Sequence, residues 1–175
     1  MASGSVMMLA LNEVETTVTK AAQGCGLDYG NAAEIGAAAS WLCARGLDGI
    51  SESVAVLSVG EDDQSVLARL GMASVDLAVA TGSPQHVADC TSPLMLRALA
   101  ARAGCTVDLD DPCADGIRTW VVALGDAPEA RSADDVQVAA NRAWDQILKW
   151  AALTYVPSSE HSRIAGAGAG LTDND

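Results

Sequence analysis

The chain is poor in aromatic side chains. Phenylalanine is absent from its 175 residues, and aromatic residues make up 3% of the chain, although hydrophobic residues make up 50%. The core must therefore be built from Ala, Val, Leu and Ile, with the four tryptophans as its largest side chains. Because small side chains let helices approach closely, this composition predicts tightly packed helices and no wide aromatic-lined pocket.

Positive charge is also scarce, and this excludes two classes of partner. The chain has 10 Lys and Arg against 23 Asp and Glu, a formal charge of −13 and a pI near 4.3. Nucleic acids and anionic membrane surfaces both attract proteins through clustered Lys and Arg. We therefore expect no nucleic-acid partner and no membrane partner. Cationic partners and metal ions remain compatible with this charge.

Paired metal ligands and long apolar runs are missing as well. The two histidines and five cysteines form no His-x-x-x-His or Cys-x-x-Cys pair, which argues against a zinc site. No uncharged apolar run reaches the roughly 18 residues of a membrane-spanning helix. The odd number of cysteines and the lack of a secretory leader predict free thiols in a reducing cytoplasm. Cys105 and Cys113 flank an acidic loop and could meet, but their spacing leaves this open.

The apolar periodicity predicts an α+β fold. Its parts are an N-terminal helical hairpin, a small mixed sheet of about four short strands, a long C-terminal helix and an extended Gly-rich tail. Asn12 and Ser51 are the expected N-caps of the first and third helices, and Gly30 and Asn31 are expected to begin the second. Further helices are predicted at 64–70, 93–104 and 134–153, and strands at 75–80, 86–90, 105–109 and 118–124.

The same reading predicts how the chain is divided. Residues 1–7 are expected to form an N-terminal extension and residues 8–157 a single α+β domain. Residues 158–175 are expected to form a polar, Gly-rich C-terminal tail. The smooth surface of small residues on the second helix also favours a homo-oligomer, with a homodimer as the simplest form.

The tail carries the candidate site residues. His161 could act as a base for Ser158 or Ser159, which makes these three the catalytic candidates. Arg163 could hold a carboxylate, and the alternating glycines could form a backbone nest for an anion. The ligand-binding candidates are therefore Arg163, Gly166, Gly168 and Gly170. Asp173 and Asp175 could bind a divalent cation, and the sequence leaves any other cofactor open. Helix capping, surface polarity and a simple packing tail are the structural alternatives.

Other motifs have structural explanations. Gly24, Gly26 and Gly30 resemble a dinucleotide loop, but such a loop must follow a strand, and here it follows an amphipathic helix. Two helix ends explain these glycines better. His86 is expected to be a core or edge residue of a strand. The acidic loop from Asp108 to Asp115 lacks the spacing and closing Glu of a calcium loop, which favours a solvated turn.

Two resemblances to known families add to this reading. The segment from Tyr155 to Arg163, the Gly-rich tail and the opening Leu11-Asn12-Glu13-Val14-Glu15 resemble an uncharacterised bacterial family, the domain of unknown function 3726. This resemblance runs from about Met8 to the end of the chain and implies no catalytic residues. It also implies that the first seven residues are an extension or an alternative start.

Residues 26–53 are similar to the opening helices of the non-Rossmann malate and L-lactate dehydrogenases. That family has Ser-His-Gly where this chain has Ser51-Glu52-Ser53. The missing histidine is the family's proton-transfer residue, so the resemblance does not imply hydride transfer here. The chain is also about half the usual length of that family.

Two functional hypotheses follow from the sequence. The first is a small cytoplasmic protein that binds a ligand or acts as an accessory component of a metabolic pathway. The alternative is a small enzyme that acts on a carboxylate-bearing metabolite at a site completed by the C-terminal tail.

Overall fold

Seven helices make up most of the residues that the structure describes. The computed structural model describes residues 6–59, 63–109, 119–125, 136–139 and 142–155. The helices are α1 (Leu11–Gly24), α2 (Tyr29–Cys43), α3 (Gly49–Leu57), α4 (Asp63–Leu70), α5 (Met72–Thr81), α6 (Pro93–Arg102) and α7 (Arg142–Ala152). The predicted N-terminal hairpin is present as α1 and α2, which pack against each other. Among the described residues, no helix is both long and apolar enough to cross a membrane.

Aspartates cap α2 and α3, and α2 begins at Tyr29, next to its predicted start. Asp28 accepts a hydrogen bond from the Asn31 backbone N–H at 3.0 Å, and Asp48 accepts one from that of Ser51 at 3.0 Å. Ser51 therefore lies inside α3, and the prediction that it caps the helix is wrong. Asn12 also lies inside its helix, because Ala10 occupies the N-cap position of α1 without a side-chain hydrogen bond.

Small residues permit three close helix contacts, as the composition predicts. A Cβ atom added at Gly36 would lie 2.6 Å from the Glu15 carbonyl oxygen of α1. A Cβ atom at Gly24 would overlap the Trp150 carbonyl of α7, and one at Gly49 would overlap the Ala39 carbonyl of α2. The small-residue surface of α2 is thus covered by the chain's own helices. It gives no support to a dimer.

The main sheet has three antiparallel strands in the order β2-β4-β3. The strands are β2 (Gln85–Ala88), β3 (Cys105–Leu109) and β4 (Thr119–Leu124). In register, Val87 lies opposite Trp120, and Val107 lies opposite Val122. Three of the four predicted segments are strands, and all their described pairings are antiparallel, so a mixed sheet of about four strands is not confirmed in the part of the chain that the structure describes. His86 lies on an edge strand, which is one of the two positions predicted for it.

The fourth predicted strand is a helix. Residues 75–80 belong to α5, in which Val75 and Ala78 are buried three positions apart and face the sheet. Gly71 and Gly82 flank this helix with φ angles of 70° and 66°. Such left-handed residues are typical helix stops, and they delimit α5 more clearly than the short alternating run inside it.

A second pair of strands replaces the first part of the predicted C-terminal helix. β1 (Val6–Leu9) pairs antiparallel with β5 (Val136–Ala139), so α7 begins only at Arg142. A helix over all of residues 134–153 is therefore wrong. β1 also crosses the boundary between the expected extension, residues 1–7, and the domain. The proposed division of the chain remains a prediction.

Helix α6 joins the helical layer to the sheet. Met95, Ala98 and Leu99 belong to the core of the helical layer, whereas Leu96 and Ala100 belong to the core between helix and sheet. These five residues are buried. The loop from β2 into α6 and the first turns of α3 are consequently held at fixed positions next to each other, which positions the residues considered below.

Candidate functional site

Glu52 occupies a position of interest because it replaces the proton-transfer histidine of the dehydrogenase resemblance. Its carboxylate accepts a hydrogen bond from the hydroxyl of Ser92, and the Ser92 oxygen in turn accepts one from the Met95 backbone N–H at 3.0 Å. Ser92 is fully buried and is the N-cap of α6. The two residues therefore fix α3 to the start of α6. The hydrogen bonds made by Glu52 in the Ser51-Glu52-Ser53 segment therefore have a structural role.

The loop that leads to Ser92 also contains Cys90, a half-buried thiol. Burial is the main cause that raises the pKa of Cys90, and the negative charges of Asp89 and Glu52 raise it further, while a backbone hydrogen bond at Ser92 lowers it. A thiol with a raised pKa is a poor nucleophile, because the thiolate is the reactive form. The Cys90 thiol is therefore a poor catalytic nucleophile at the junction of α3 and α6.

The opposite side of α3 lines an open groove. Ser51, Val54 and Ser58 lie three and four positions apart and share one helix face. Arg142, Ala143, Gln146 and Trp150 of α7 form the other wall, and the groove has a volume of about 500 Å³. The buried faces of both helices hold these walls in place, since Ile50 and Val56 of α3 and Ile147 of α7 are in the core.

The groove combines a cation, hydrogen-bonding groups and apolar surface. Among the described residues, no carboxylate lies within ion-pair distance of Arg142, and no hydrogen bond occupies the Ser51 hydroxyl, the Ser58 hydroxyl or the Gln146 amide. Val54, Ala143 and Trp150 are partly buried and pack against the helical core. An anionic group can therefore bind to Arg142 while the apolar part of the same ligand lies against Trp150.

The site residues predicted in the tail lie outside the described residues. This applies to the catalytic candidates Ser158, Ser159 and His161, to Arg163, Gly166, Gly168 and Gly170, and to Asp173 and Asp175. Each remains a prediction. Sequence reasoning missed the groove, although the helical spacing of Ser51, Val54 and Ser58 and that of Arg142, Gln146 and Trp150 are visible in the sequence. The sequence alone does not show that α3 packs against α7.

The described cysteines are free thiols. Cys43 and Cys105 are buried, and Cys25 and Cys90 are half-buried. Cys113, the other half of the disulfide left open above, lies outside the described residues. Within the described ranges, no three His, Cys, Asp or Glu side chains are placed to hold a metal ion. Gly24 and Gly26 mark the end of α1, as the helix-end interpretation predicts.

Comparison with known proteins supports one of the two resemblances. Residues 9–84 match the model of a family described as "Protein of unknown function (DUF3726)". The match begins with the last residue of β1 and ends before β2, so it covers helices α1 to α5. The C-terminal segment that contributed to the resemblance is not part of it. No curated protein and no solved structure matches the chain. Over residues 9–84, this chain is therefore similar to the domain of unknown function 3726.

Proposed function

We propose that this protein binds a small carboxylate-bearing metabolite in the groove between α3 and α7. The supporting observation is the presence of Arg142, without an ion-pair partner among the described residues, in a groove that also contains Ser51, Ser58 and Gln146. The overall charge of −13 disfavours the binding of anions elsewhere on the surface. A local arginine is therefore the feature that would make such binding selective.

The groove residues have distinct roles in this proposal. The planar guanidinium of Arg142 donates two parallel hydrogen bonds to the ligand carboxylate. The Ser51 and Ser58 hydroxyls and the Gln146 amide bind hydroxyl or carbonyl groups of the ligand. Trp150 and Val54 contact its carbon atoms. The ligand class is the one named in the alternative hypothesis from the sequence, which placed it at the C-terminal tail.

The fluorescence of Trp150 and isothermal titration calorimetry can test the proposal. Mono- and dicarboxylic acids of increasing chain length are titrated into the full chain and into the Arg142→Gln variant. Loss of a charged hydrogen-bond donor costs about 1.5–3 kcal/mol, which corresponds to a roughly ten- to hundredfold weaker affinity. We expect this loss for every acid that binds the unchanged protein.

Arg97→Gln provides the matched control. Arg97 is exposed on α6, outside the groove lining, and its replacement changes the net charge by the same amount. We expect this variant to bind the acids as the unchanged protein does. Equal losses in the two variants, or no binding of any acid, would refute the proposal.

Binding of a ligand without a reaction also defines a role for the protein as a whole. We propose that the protein is an accessory component of a metabolic pathway that recognises its metabolite and does not convert it. The groove supports this view with groups that can bind a ligand, namely Arg142, Ser51, Ser58 and Gln146. A homodimer is a separate proposal, and light scattering of the full chain at micromolar concentration would test it.

The enzyme hypothesis remains the second proposal. In that case Ser158, Ser159 and His161 would act on the carboxylate-bearing ligand, with Arg163 and the tail glycines as binding groups and Asp173 and Asp175 as ligands of a divalent cation. Deletion of residues 166–175 distinguishes the two proposals. If affinity for the acids is unchanged after the deletion and metal ions do not alter it, the tail does not complete the site.

A further inference from the structure

A second cavity lies between α2, α5 and α6. Its volume is about 200 Å³. Val75 and Leu99 are buried and, with the half-buried Met72, provide its apolar lining. Glu34, Asp76, Arg102 and Ala103 complete the lining. Since a water molecule takes up about 30 Å³ of liquid volume, the cavity has room for a ligand of roughly six or seven non-hydrogen atoms.

The charged side chains that line this cavity do not balance. Arg102 Nε lies 3.7 Å from Glu34 Oε2, so the guanidinium is directed to one of the two carboxylates. Among the described residues, Asp76 has no cationic side chain within ion-pair distance. Two carboxylates and one guanidinium leave one net negative charge next to an apolar surface. This arrangement favours a cationic group over an anionic one.

The cavity does not suit a metal ion. The cavity offers two carboxylates, one of them already paired with Arg102, and among the described residues no third His, Cys, Asp or Glu side chain joins them. The apolar lining of the cavity would also make no favourable contact with a bare metal ion. An organic cation uses both parts, because its charged end contacts the carboxylates and its carbon chain contacts the buried side chains.

We propose that this cavity, defined by Glu34, Met72, Val75, Asp76, Leu99 and Arg102, is a binding site for a small aliphatic amine in its ammonium form. The ammonium group binds the Asp76 carboxylate and reaches Glu34, and the alkyl chain lies against Met72, Val75 and Leu99. This site is separate from the groove between α3 and α7 and does not rest on the function proposed for that groove.

The probe for this site is pentylammonium, whose six non-hydrogen atoms match the cavity volume. Its binding to the full chain is followed by ¹H–¹⁵N nuclear magnetic resonance, which reports weak ligands and locates them. We expect the largest shift changes at Met72, Val75, Asp76 and Arg102. Pentanoate has the same chain length with the opposite charge, and methylammonium has the charge without the chain. Both are expected to bind at least tenfold more weakly than pentylammonium.

Two variants change the charge of the site in opposite directions. Asp76→Asn removes the carboxylate without an ion-pair partner and should weaken pentylammonium binding at least tenfold. Arg102→Gln removes the competing guanidinium and should strengthen the binding. Asp108→Asn is the control for net charge, because Asp108 is exposed on β3, away from the cavity, and this change should leave the affinity within twofold.

A third variant tests the cavity itself. Met72→Trp places a larger side chain against the cavity and leaves all its charges in place, so pentylammonium binding should be lost while far-ultraviolet circular dichroism remains unchanged. For each expected result, the opposite result would overturn the proposal. Equal binding of pentanoate, equal effects of Asp76→Asn and Asp108→Asn, weaker binding by Arg102→Gln, or unchanged binding by a folded Met72→Trp would each exclude an amine site here.

Discussion

At the scale of single residues, the junction of Glu52 and Ser92 has a structural role. The dehydrogenase resemblance places the missing histidine at Glu52, and the structure uses the Glu52 carboxylate to bind a buried serine. Ser92 is satisfied on both sides, since it also caps α6 through Met95. A buried polar group that is fully hydrogen-bonded stabilises the fold and leaves no free group for chemistry.

Gly24 gives a prediction at the same scale. The replacement Gly24→Ala should lower the free energy of unfolding by about 1–3 kcal/mol, the usual cost of overpacking. The added Cβ atom would overlap the Trp150 carbonyl and lie 3.3 Å from Leu153 Cβ, so α1 and α7 would have to move apart. Urea denaturation of both proteins measures the difference.

The neighbouring replacement Gln23→Ala is the control for Gly24→Ala. It lies on the same last turn of α1 and changes the helix propensity by only a few tenths of a kcal/mol. We expect it to leave stability nearly unchanged. If Gly24→Ala is as stable as Gln23→Ala, the close contact between α1 and α7 does not exist in solution.

At the scale of elements, the accuracy of the sequence-based prediction depended on how local the signals are. Helix α6 was predicted well because Pro93 and Gly104 delimit it within the sequence itself. The error at residues 136–139 has a different origin. β5 exists because it pairs with β1, about 130 residues earlier, and no local pattern reports such a partner. Tertiary pairing here overrides local propensity.

The capping of α3 yields a prediction for an element. Asp48→Ala should lower the free energy of unfolding by about 0.5–2 kcal/mol, because the Ser51 backbone N–H loses its acceptor at 3.0 Å. Asp48→Asn should retain most of the stability, since Asn is an equally good N-cap. Because α3 forms one wall of the groove, acid binding should weaken in Asp48→Ala and persist in Asp48→Asn. Chemical denaturation and calorimetry measure the two effects, and equal stability of both variants would contradict the assigned cap.

At the scale of the whole molecule, the candidate groove depends on contacts that the sequence does not specify. Composition correctly predicts small-residue packing, and charge predicts which classes of partner to exclude. Neither reveals that Ser51 and Arg142 lie on the same groove, because about 90 residues separate them and the α3–α7 contact brings them together. The second cavity has the same origin, since Glu34, Asp76 and Arg102 come from three helices.

Burial of the cysteines leads to a prediction about the stability of the whole molecule at high pH. Burial raises the pKa of the Cys25 thiol from 9.0 to about 11, and it raises the pKa values of Cys43, Cys90 and Cys105 as well. The unfolded chain therefore loses these protons at lower pH than the folded chain does. The contribution of each thiol to stability is complete below pH 9.0 and is lost as the pH rises through the folded value, near 11 for Cys25.

The variant Cys25→Ala isolates this effect from the other groups that titrate at high pH, such as Lys and Tyr. Urea denaturation at several pH values from below 9.0 to about 11 gives the free energy of unfolding of both proteins. The unchanged protein should lose more stability over this interval than Cys25→Ala does, because only the unchanged protein has this thiol to ionise on unfolding. Parallel curves for the two proteins would show that Cys25 ionises as readily in the folded chain as in the unfolded chain, and that the α1 end of the core is open to water.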